Sequence, residues 1–330
     1  MLAMTEQLPK IFVMCGPTAS GKTDLSIFLA KKFGGEIVNA DSRQIYRGMD
    51  IATAKPKFNS FQLSAFSFQG VRHHVFDIAS PDEVVTVAIW KQKAIRAIRG
   101  ILRRGHVPIV VGGTGLYIKT LVENLDIPQV PPNLKLRAML ERELAEKGIT
   151  SLWHRLIKLD PDAIHVVQSN NSRRVIRALE VCLATHQPFT KLRVHGPVLF
   201  NAFEIGITVP RVRLYRRIDR RVEWQMRHGL VRETRRLLKK YPRTLPAMTG
   251  IGYGEIADYL SLRGVKRSNL RRDRHAPPAL AMTLDEVAQK IKFHTHNFAR
   301  RQLIWFRRDP KIHWIKTKKQ ATRLAREFLS

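Results

Sequence analysis

An eight-residue motif near the N-terminus constrains this 330-residue chain more than any other feature. It fits the pattern G-x-x-x-x-G-K-[ST] and consists of Gly16, Pro17, Thr18, Ala19, Ser20, Gly21, Lys22 and Thr23. An apolar run at residues 10–14 precedes it and residues 24–33, with helical apolar spacing, follow it. A motif of this kind between a predicted strand and a predicted helix indicates a phosphate-binding loop, as used for nucleotides such as ATP.

The residue types of the motif explain how it would bind an anion. Its glycines let backbone N–H groups face the anion at the start of the helix, where the helix dipole favours negative charge. Lys22 adds a positive charge, and the Thr23 hydroxyl can reach a Mg²⁺ ion held by phosphates.

Further apolar runs predict how the rest of the chain is organised. They predict strands at residues 36–40, 107–111 and 203–209, a helix at about 87–102 and a long basic helix at 213–240. Strands alternating with helices are typical of an α/β fold, here a P-loop NTPase-like parallel sheet flanked by helices with an inserted helical subdomain. We expect the core to begin with residues 8–125, the insertion to occupy 126–202, and a basic C-terminal part, 203–330, to complete the core.

Asp41 is the acidic residue that follows a predicted strand, at the sheet edge where ligands bind in parallel sheets. It could bind Mg²⁺, act as a general base or cap the next helix, and its position alone leaves these alternatives open. The strand at 107–111 ends in glycines and Thr114, without the carboxylate that hydrolytic phosphate-loop enzymes use to hold Mg²⁺. The adjacent His73 and His74 are expected to be structural, because neighbouring side chains point apart.

The chain is strongly basic, with 58 Lys+Arg against 27 Asp+Glu and a formal net charge of +31. Residues 126–330 hold 42 basic and 18 acidic residues, against 16 and 9 in residues 1–125. Basic clusters lie at 211–240, 263–274 and 300–326, and the first and last of them contain aromatic residues, a mix suited to phosphate neutralisation and base stacking. A nucleic acid is therefore the expected partner, although each cluster alone could be a solvated helix face.

Composition also excludes several classes of protein. Cys15 and Cys182 are too few for a disulfide framework and are expected to be reduced thiols. No stretch approaches the roughly 18–20 apolar residues of a membrane span, and the N-terminus lacks the features of a signal peptide. We expect a cytoplasmic monomer that does not associate with membranes.

Several motifs follow the phosphate loop in order. They are Asp41 to Ile51, Lys55-Pro56, His73-His74 with Asp77-Ile78, Val111 to Tyr117, Arg173 to Val181, Arg217 to Val222, Gly252-Tyr253 and Ala299 to Arg307. With the loop, they resemble the tRNA dimethylallyltransferase family, also called tRNA isopentenyltransferases, over about residues 10–314. The loop alone is generic, whereas the ordered set is specific.

The resemblance implies transfer of a dimethylallyl group from dimethylallyl diphosphate to the exocyclic N6 amine of the adenosine at tRNA position 37, 3′ of the anticodon. Residues Gly16 to Thr23 would bind the diphosphate, with Thr23 holding a Mg²⁺ cofactor. By similarity, Asp41 would accept the amine proton, Thr114 would orient base and diphosphate, and Arg221 would neutralise the departing diphosphate. Catalysis would rest mainly on stabilising this leaving group.

The same resemblance implies contacts with the tRNA anticodon stem-loop, from which the adenosine must unstack. The matched positions are Asp41, Ser42, Arg43, Gln44, Thr114, Arg137, Arg173, Arg174, Arg177, Gly252, Tyr253, Arg300, Arg301, Gln302 and Arg307. Gly254, His296 and Ile304 depart from the family pattern. These departures concern particular RNA contacts and none of the residues assigned to catalysis.

Three other functions fit part of the sequence. An adenylate isopentenyltransferase acting on AMP, ADP or ATP would need the same loop and Asp41, but it has no use for the charge of residues 126–330. A nucleoside or metabolite kinase would bind ATP in the loop, and the missing strand-end carboxylate disfavours it. A non-enzymatic RNA-binding protein would not need an intact phosphate loop.

Overall fold

A computed structural model describes residues 7–62, 65–128, 130, 133–269 and 282–330. In chain order the elements are β1 (Lys10–Cys15), α1 (Lys22–Phe33), β2 (Gly35–Asn39), β3 (Ser60–Gln62), β4 (Ala65–Phe68), β5 (Val71–His74), α2 (Val87–Arg103), β6 (Val107–Val111), α3 (Gly115–Val122), α4 (Leu134–Leu159), α5 (Ala163–Val166), α6 (Ser172–Thr185), β7 (Asn201–Ile207), α7 (Arg211–Arg227), α8 (Leu230–Leu238), a 3₁₀ helix (Ala247–Thr249), α9 (Tyr253–Asn269), α10 (Leu284–Arg307), β8 (His313–Ile315) and α11 (Lys318–Leu329). Among these helices none combines the length and apolarity of a membrane span.

Within the described residues, eight strands form one sheet in the order β3-β4-β5-β2-β6-β1-β7-β8. The strands from β5 to β8 in this order pair in parallel, and β3 and β4 extend the edge in antiparallel pairing. The predicted fold class, a P-loop NTPase-like parallel sheet flanked by helices, is confirmed. Strands β3, β4, β5 and β8 were not predicted, because runs of three or four residues are too short to show a period.

The central strand β1 explains why the sequence begins its core with an uninterrupted apolar run. A strand covered by helices on both faces is apolar at every position. Ile11, Val13 and Met14 are fully buried, and Cys15 at the strand end is buried as a free thiol. Burial, with the charge of Glu204 adding to it, raises the pKa of the Cys15 thiol above its usual range.

The long basic helix predicted over residues 213–240 is wrong in one respect, since the chain forms two helices there. α7 ends at Arg227 and α8 begins at Leu230. Gly229 between them has a φ of +102°, a left-handed conformation that glycine adopts without steric cost and that ends a helix. The chain therefore turns after α7, so that Glu233 of α8 accepts the backbone N–H of Ile51 at 3.0 Å.

Residues Lys119–Val198 form a compact unit with its own apolar core, and the rest of the chain forms the other unit. The core of this helical unit is built by α4, α5 and α6 and includes Leu140, Leu152, Leu156, Val175 and Leu179. Helix α4 contains a break at Gly148, where φ is +74°. The expected insertion was 126–202. The unit begins seven residues before the start of that range and ends four residues before its end. The separate roles expected for the three segments stay predictions.

Candidate functional site

The carboxyl ends of β1, β2 and β6 meet at one edge of the sheet, because the three strands are parallel neighbours. Backbone hydrogen bonds join the residues that leave these strands. Ala40 N–H donates to Val111 O at 2.8 Å, and Thr114 N–H donates to Ala40 O at 3.2 Å. A Cβ at Gly112 would lie 2.0 Å from Ala40 O, so a glycine is required for this approach. The arrangement places Thr114 beside the loop that carries Asp41.

The predicted phosphate loop runs from the end of β1 to the start of α1. Gly16 and Gly21 have φ values of +138° and +97°, a region that glycine adopts without steric cost, and Ala19 between them also has a positive φ of +59°. Lys22 Nζ donates to the carbonyl oxygens of Gly16 at 3.0 Å and Pro17 at 2.7 Å. The buried Ser20 hydroxyl has no hydrogen-bond partner in the described part of the chain. A bound anion would compete with the loop carbonyls for the Lys22 amine.

Two arginines of α7 reach this loop from the same helix face, as residues four apart do. A guanidinium nitrogen of Arg221 donates to Thr18 Oγ1 at 3.2 Å, and one of Arg217 donates to Ser20 O at 3.3 Å. Sequence reasoning selected Arg221 and missed Arg217 as a loop contact. The spacing of the two residues on a predicted helix was the signal that could have found it.

The electrostatics of the loop favour a bound anion. Burial lowers the pKa of Lys22 to about 8, the charge of Asp41 opposes this shift, and the charge of Arg221 adds to it. Burial also lowers the pKa of Arg221, while Asp24 and Asp41 oppose that shift. Two partly desolvated cations held near each other gain a counter-charge when an anion binds.

Asp41 lies between two networks at the same sheet edge. One carboxylate oxygen, Oδ1, accepts the N–H of Arg43 at 2.8 Å, and Asn39 Oδ1 accepts the N–H of Asp41 at 3.0 Å. Thr114 Oγ1 accepts the N–H of Ser42 at 3.0 Å, which ties the loop after β2 to the loop after β6. The residues after Asp41 form turns and no helix, so the helix-cap alternative is wrong. Within the described residues, the other carboxylate oxygen, Oδ2, forms no side-chain hydrogen bond.

Comparison with known proteins identifies the family. The model of the IPP transferase family matches residues 44–309, and that of the isopentenyl transferase family matches residues 9–69. The first match covers well over half of the chain. The chain belongs to the IPP transferase family.

Individual members of the family agree with this assignment along nearly the whole chain. The tRNA dimethylallyltransferase of Roseiflexus sp. is 43% identical over 92% of this chain and 91% of its own. The solved tRNA isopentenylpyrophosphate transferase of Bacillus halodurans is 35% identical, covers 93% of this chain and 89% of its own, and has a TM-score of 0.63. A eukaryotic dimethylallyltransferase solved acting on tRNA, at 24% identity and a TM-score of 0.71, shares the fold.

A magnesium ion in an IPP transferase site of this kind would need few protein ligands. Mg²⁺ bound to phosphates usually takes one or two protein oxygens and completes its shell with phosphate oxygens and water. Thr23, at the start of α1, is exposed and carries a hydroxyl that could supply one such oxygen. No group of three or more His, Cys, Asp or Glu side chains in the described ranges could hold a metal ion by itself. The donor set fits a metal held jointly with a diphosphate.

Some residues expected to contact RNA in this family are occupied by contacts within the protein. Arg43 donates to Pro246 O at 2.7 Å, and Gln44 donates to Thr53 O at 3.0 Å. The Tyr253 side chain is 1% exposed, and its hydroxyl donates to Glu233 at 2.6 Å. Gln302 is 6% exposed. These positions leave the side chains of Tyr253 and Gln302 almost no surface for RNA.

The expected arginine contacts fall into two groups. Arg137 and Arg177 each donate at 2.7 Å to one oxygen of the fully buried Glu180. Burial by itself raises the pKa of Glu180, but hydrogen bonds from Arg177 and Arg137 outweigh this and lower it. The exposed arginines among the expected contacts are Arg173, Arg174, Arg300, Arg301 and Arg307. The basic cluster expected at 263–274 lies in part outside the described residues.

The two adjacent histidines are built into the sheet, as expected. Burial lowers the pKa of His73 to about 4, and its ring contacts Val71 O at 2.9 Å. His74 Nε2 lies 2.6 Å from Glu36, which also accepts from Arg104. Burial raises the pKa of Glu36, but the hydrogen bonds from His74 and Arg104 lower it to about 2. Through Glu36, these hydrogen bonds link β2 to β5 and to the end of α2.

Proposed function

We propose that the protein transfers a dimethylallyl group from dimethylallyl diphosphate to the exocyclic N6 amine of the adenosine at position 37 of tRNA. The observation that carries this proposal is the meeting of three parts at one sheet edge. These are a phosphate loop with two arginines, a carboxylate with one free oxygen, and a glycine-rich loop that joins them. Membership of the IPP transferase family supports the reaction class.

The loop and α7 would bind the diphosphate of the donor. Lys22, Arg217 and Arg221 are the cations whose nitrogen atoms lie on this loop. As the bond from the allylic carbon to the diphosphate oxygen breaks, negative charge grows on the leaving group, and preorganised cations stabilise it. Mg²⁺, held by Thr23 and the diphosphate, would supply further positive charge there when bound.

The acceptor amine needs little activation. Its nitrogen lone pair attacks the allylic carbon, which is electron-poor as the diphosphate departs, and the new nitrogen–carbon bond makes the amine cationic. One proton must then leave the nitrogen. Asp41 Oδ2 would accept that proton, and Thr114 would hold the base next to the carboxylate.

Exposed arginines of the helical unit and of the other unit would each contribute to binding the anticodon stem-loop. The exposed arginines of α6 and α10 carry charge that an RNA backbone can neutralise. An enzyme acting on a free nucleotide gains nothing from the positive charge of residues 126–330, which contain 42 basic and 18 acidic residues. This difference favours tRNA over AMP, ADP or ATP as the acceptor.

Product analysis tests the proposal directly. Purified protein is incubated with an anticodon stem-loop, dimethylallyl diphosphate and Mg²⁺, and the nuclease-digested RNA is analysed by mass spectrometry. We expect prenylated adenosine, lost in Lys22→Ala and kept in Lys31→Ala, which changes an exposed lysine of the same helix. Product on AMP without product on RNA would assign the protein to the adenylate enzymes. ATP-dependent phosphate transfer in place of prenylation would assign it to the kinases.

Substitution of Asp41 tests the proton acceptor. Asp41→Asn keeps an oxygen that can accept the N–H of Arg43 and removes the basic carboxylate. We expect turnover to fall by about 10²–10⁴-fold, the usual contribution of a general base, with RNA affinity kept. An equal loss of RNA affinity would make Asp41 an RNA contact and not the base.

A further inference from the structure

Gln302 of α10 is a buried side chain that contacts two loops of the site at once. Its carbonyl oxygen Oε1 accepts the backbone N–H of Thr18, in the phosphate loop, at 2.8 Å. Its amide nitrogen Nε2 donates to the carbonyl oxygen of Gly113, in the loop after β6, at 2.9 Å. The side chain is 6% exposed. Its polar atoms therefore bind the protein and not the solvent.

The pocket for this amide is specific to its size and polarity. A Cβ at Gly113 would lie 2.2 Å from Gln302 Nε2, so the absence of a side chain at Gly113 makes room for the amide. One partner is a donor and the other is an acceptor, and a carboxamide offers one acceptor and one donor at this spacing. The reversed amide would face nitrogen to nitrogen and oxygen to oxygen. A leucine or an ionised glutamate in its place would leave at least one partner unsatisfied.

The two loops joined by Gln302 have different tasks in the proposed reaction. Thr18 belongs to the loop that would bind the diphosphate, and its hydroxyl also accepts from Arg221 at 3.2 Å. Gly113 immediately precedes Thr114, whose hydroxyl binds the loop of Asp41. The Gln302 amide thus connects the donor side of the site to the acceptor side.

We propose that Gln302 is a positioning residue for the transfer step, one that fixes the distance between the phosphate loop and the loop after β6 that carries Thr114. This inference rests on the proposed function and assigns Gln302 a role other than the RNA contact expected from the resemblance. Displacement of a reacting group by about 1 Å can cost about 10²-fold in rate. Loss of the bridge therefore lowers the rate of the chemical step, while RNA affinity is kept.

Gln302→Glu tests the positioning role through the pH dependence of the single-turnover rate. If Gln302 only filled space, that pH dependence would not change. A protonated carboxyl group has one acceptor and one donor, as the amide has, whereas the ionised form can only accept. An ionised glutamate at position 302 could not donate a hydrogen bond to Gly113 O. Burial raises the pKa of a carboxyl group placed there. We expect the ratio of single-turnover rates, variant to wild type, to be low at pH 8 and to rise toward one as the pH falls to about 5.

Gly113→Ala and Gln302→Leu complete the test. The alanine Cβ displaces the amide from the other side, so we expect a loss of rate similar to that of Gln302→Leu and little additional loss in the double variant. Leu303→Ala, at the half-buried neighbour, serves as the control and should keep the wild-type rate. Thermal unfolding measured at each pH separates misfolded samples from slow ones.

The outcomes distinguish this inference from the function on which it rests. Wild-type protein that makes no prenylated RNA overturns the proposed function. Wild-type protein that makes product while Gln302→Glu shows a pH-independent rate ratio, or loses only RNA affinity, overturns the positioning role. A low ratio at pH 8 that recovers in acid, with unchanged RNA affinity, establishes it.

Discussion

Two arginines of α7 and two arginines of the helical unit lie in different electrostatic settings. Arg217 and Arg221 donate to a carbonyl and a hydroxyl of the phosphate loop, and in the described structure neither forms an ion pair. Arg137 and Arg177 instead share the buried carboxylate of Glu180. Arg217 and Arg221 therefore keep their charge available for a ligand. The charges of Arg137 and Arg177 are instead paired with Glu180, which links α4 to α6.

The largest difference expected between the two pairs is a loss of turnover when an α7 cation is removed. Arg221→Gln should lower turnover by about 10²–10³-fold, the usual cost of deleting one preorganised group that stabilises developing charge. Arg137→Gln should leave turnover at saturating RNA unchanged, because its charge faces Glu180. Steady-state kinetics of both variants measures the contrast, with Arg220→Gln, at the exposed neighbour of Arg221, as the control. Equal effects of Arg221→Gln and Arg137→Gln would remove the distinction between the pairs.

Stability should respond in the opposite sense. Glu180→Gln leaves Arg137, Arg177 and the N–H of Asn133 without their anionic partner, at a cost of about 1–3 kcal/mol in the free energy of unfolding. Because the pKa of Glu180 is lowered on folding, its contribution is full above the unfolded value, about 4.3, and disappears as the pH falls through the folded value. Urea unfolding at pH 7 and below pH 4 should show the difference between variant and wild type narrowing in acid. Arg221→Gln should be close to neutral.

The pH dependence of diphosphate binding tests whether the loop cation is free to titrate. Free Lys22 has a pKa of about 8, so above that pH it must take up a proton to bind an anion in its charged form. Diphosphate affinity should then fall by up to about tenfold per pH unit. Calorimetric titrations give the diphosphate affinities of wild type and Lys22→Arg at each pH, and the ratio of the two affinities is followed. The guanidinium stays protonated and the ligand ionises equally in both, so this ratio reports on Lys22. A constant ratio would contradict the lowered pKa.

The smallest effects are expected in the salt dependence of RNA binding. Each neutralised phosphate of a single strand contributes about −0.7 to the slope of log affinity against log salt. Arg173→Gln, at an exposed residue, should reduce the magnitude of the slope by about that amount, and Arg177→Gln by less, since Arg177 is paired with Glu180. Fluorescence anisotropy over a salt series measures both slopes. A larger change for Arg177→Gln would show that RNA displaces Glu180.

Local sequence predicted the parts of the site that depend on neighbours in the chain. The phosphate loop and Asp41 follow strands directly, so their place at the sheet edge could be inferred from the order of apolar runs and turns. Contacts between segments far apart in the chain could not be inferred in this way. Gln302 and Thr18 are 284 positions apart, so only the tertiary fold brings them together. The turn at Gly229 was missed because the basic pattern continues through it.

The burial of Cys15 has a practical consequence for experiments on this protein. Both native thiols are buried and free, and burial raises the pKa of each, so the reactive thiolate is scarce at neutral pH. A cysteine introduced at an exposed position of α10, such as Arg300, would react with maleimide dyes ahead of the native pair. Fluorescent reporters can therefore be attached to α10 without first replacing the two native cysteines.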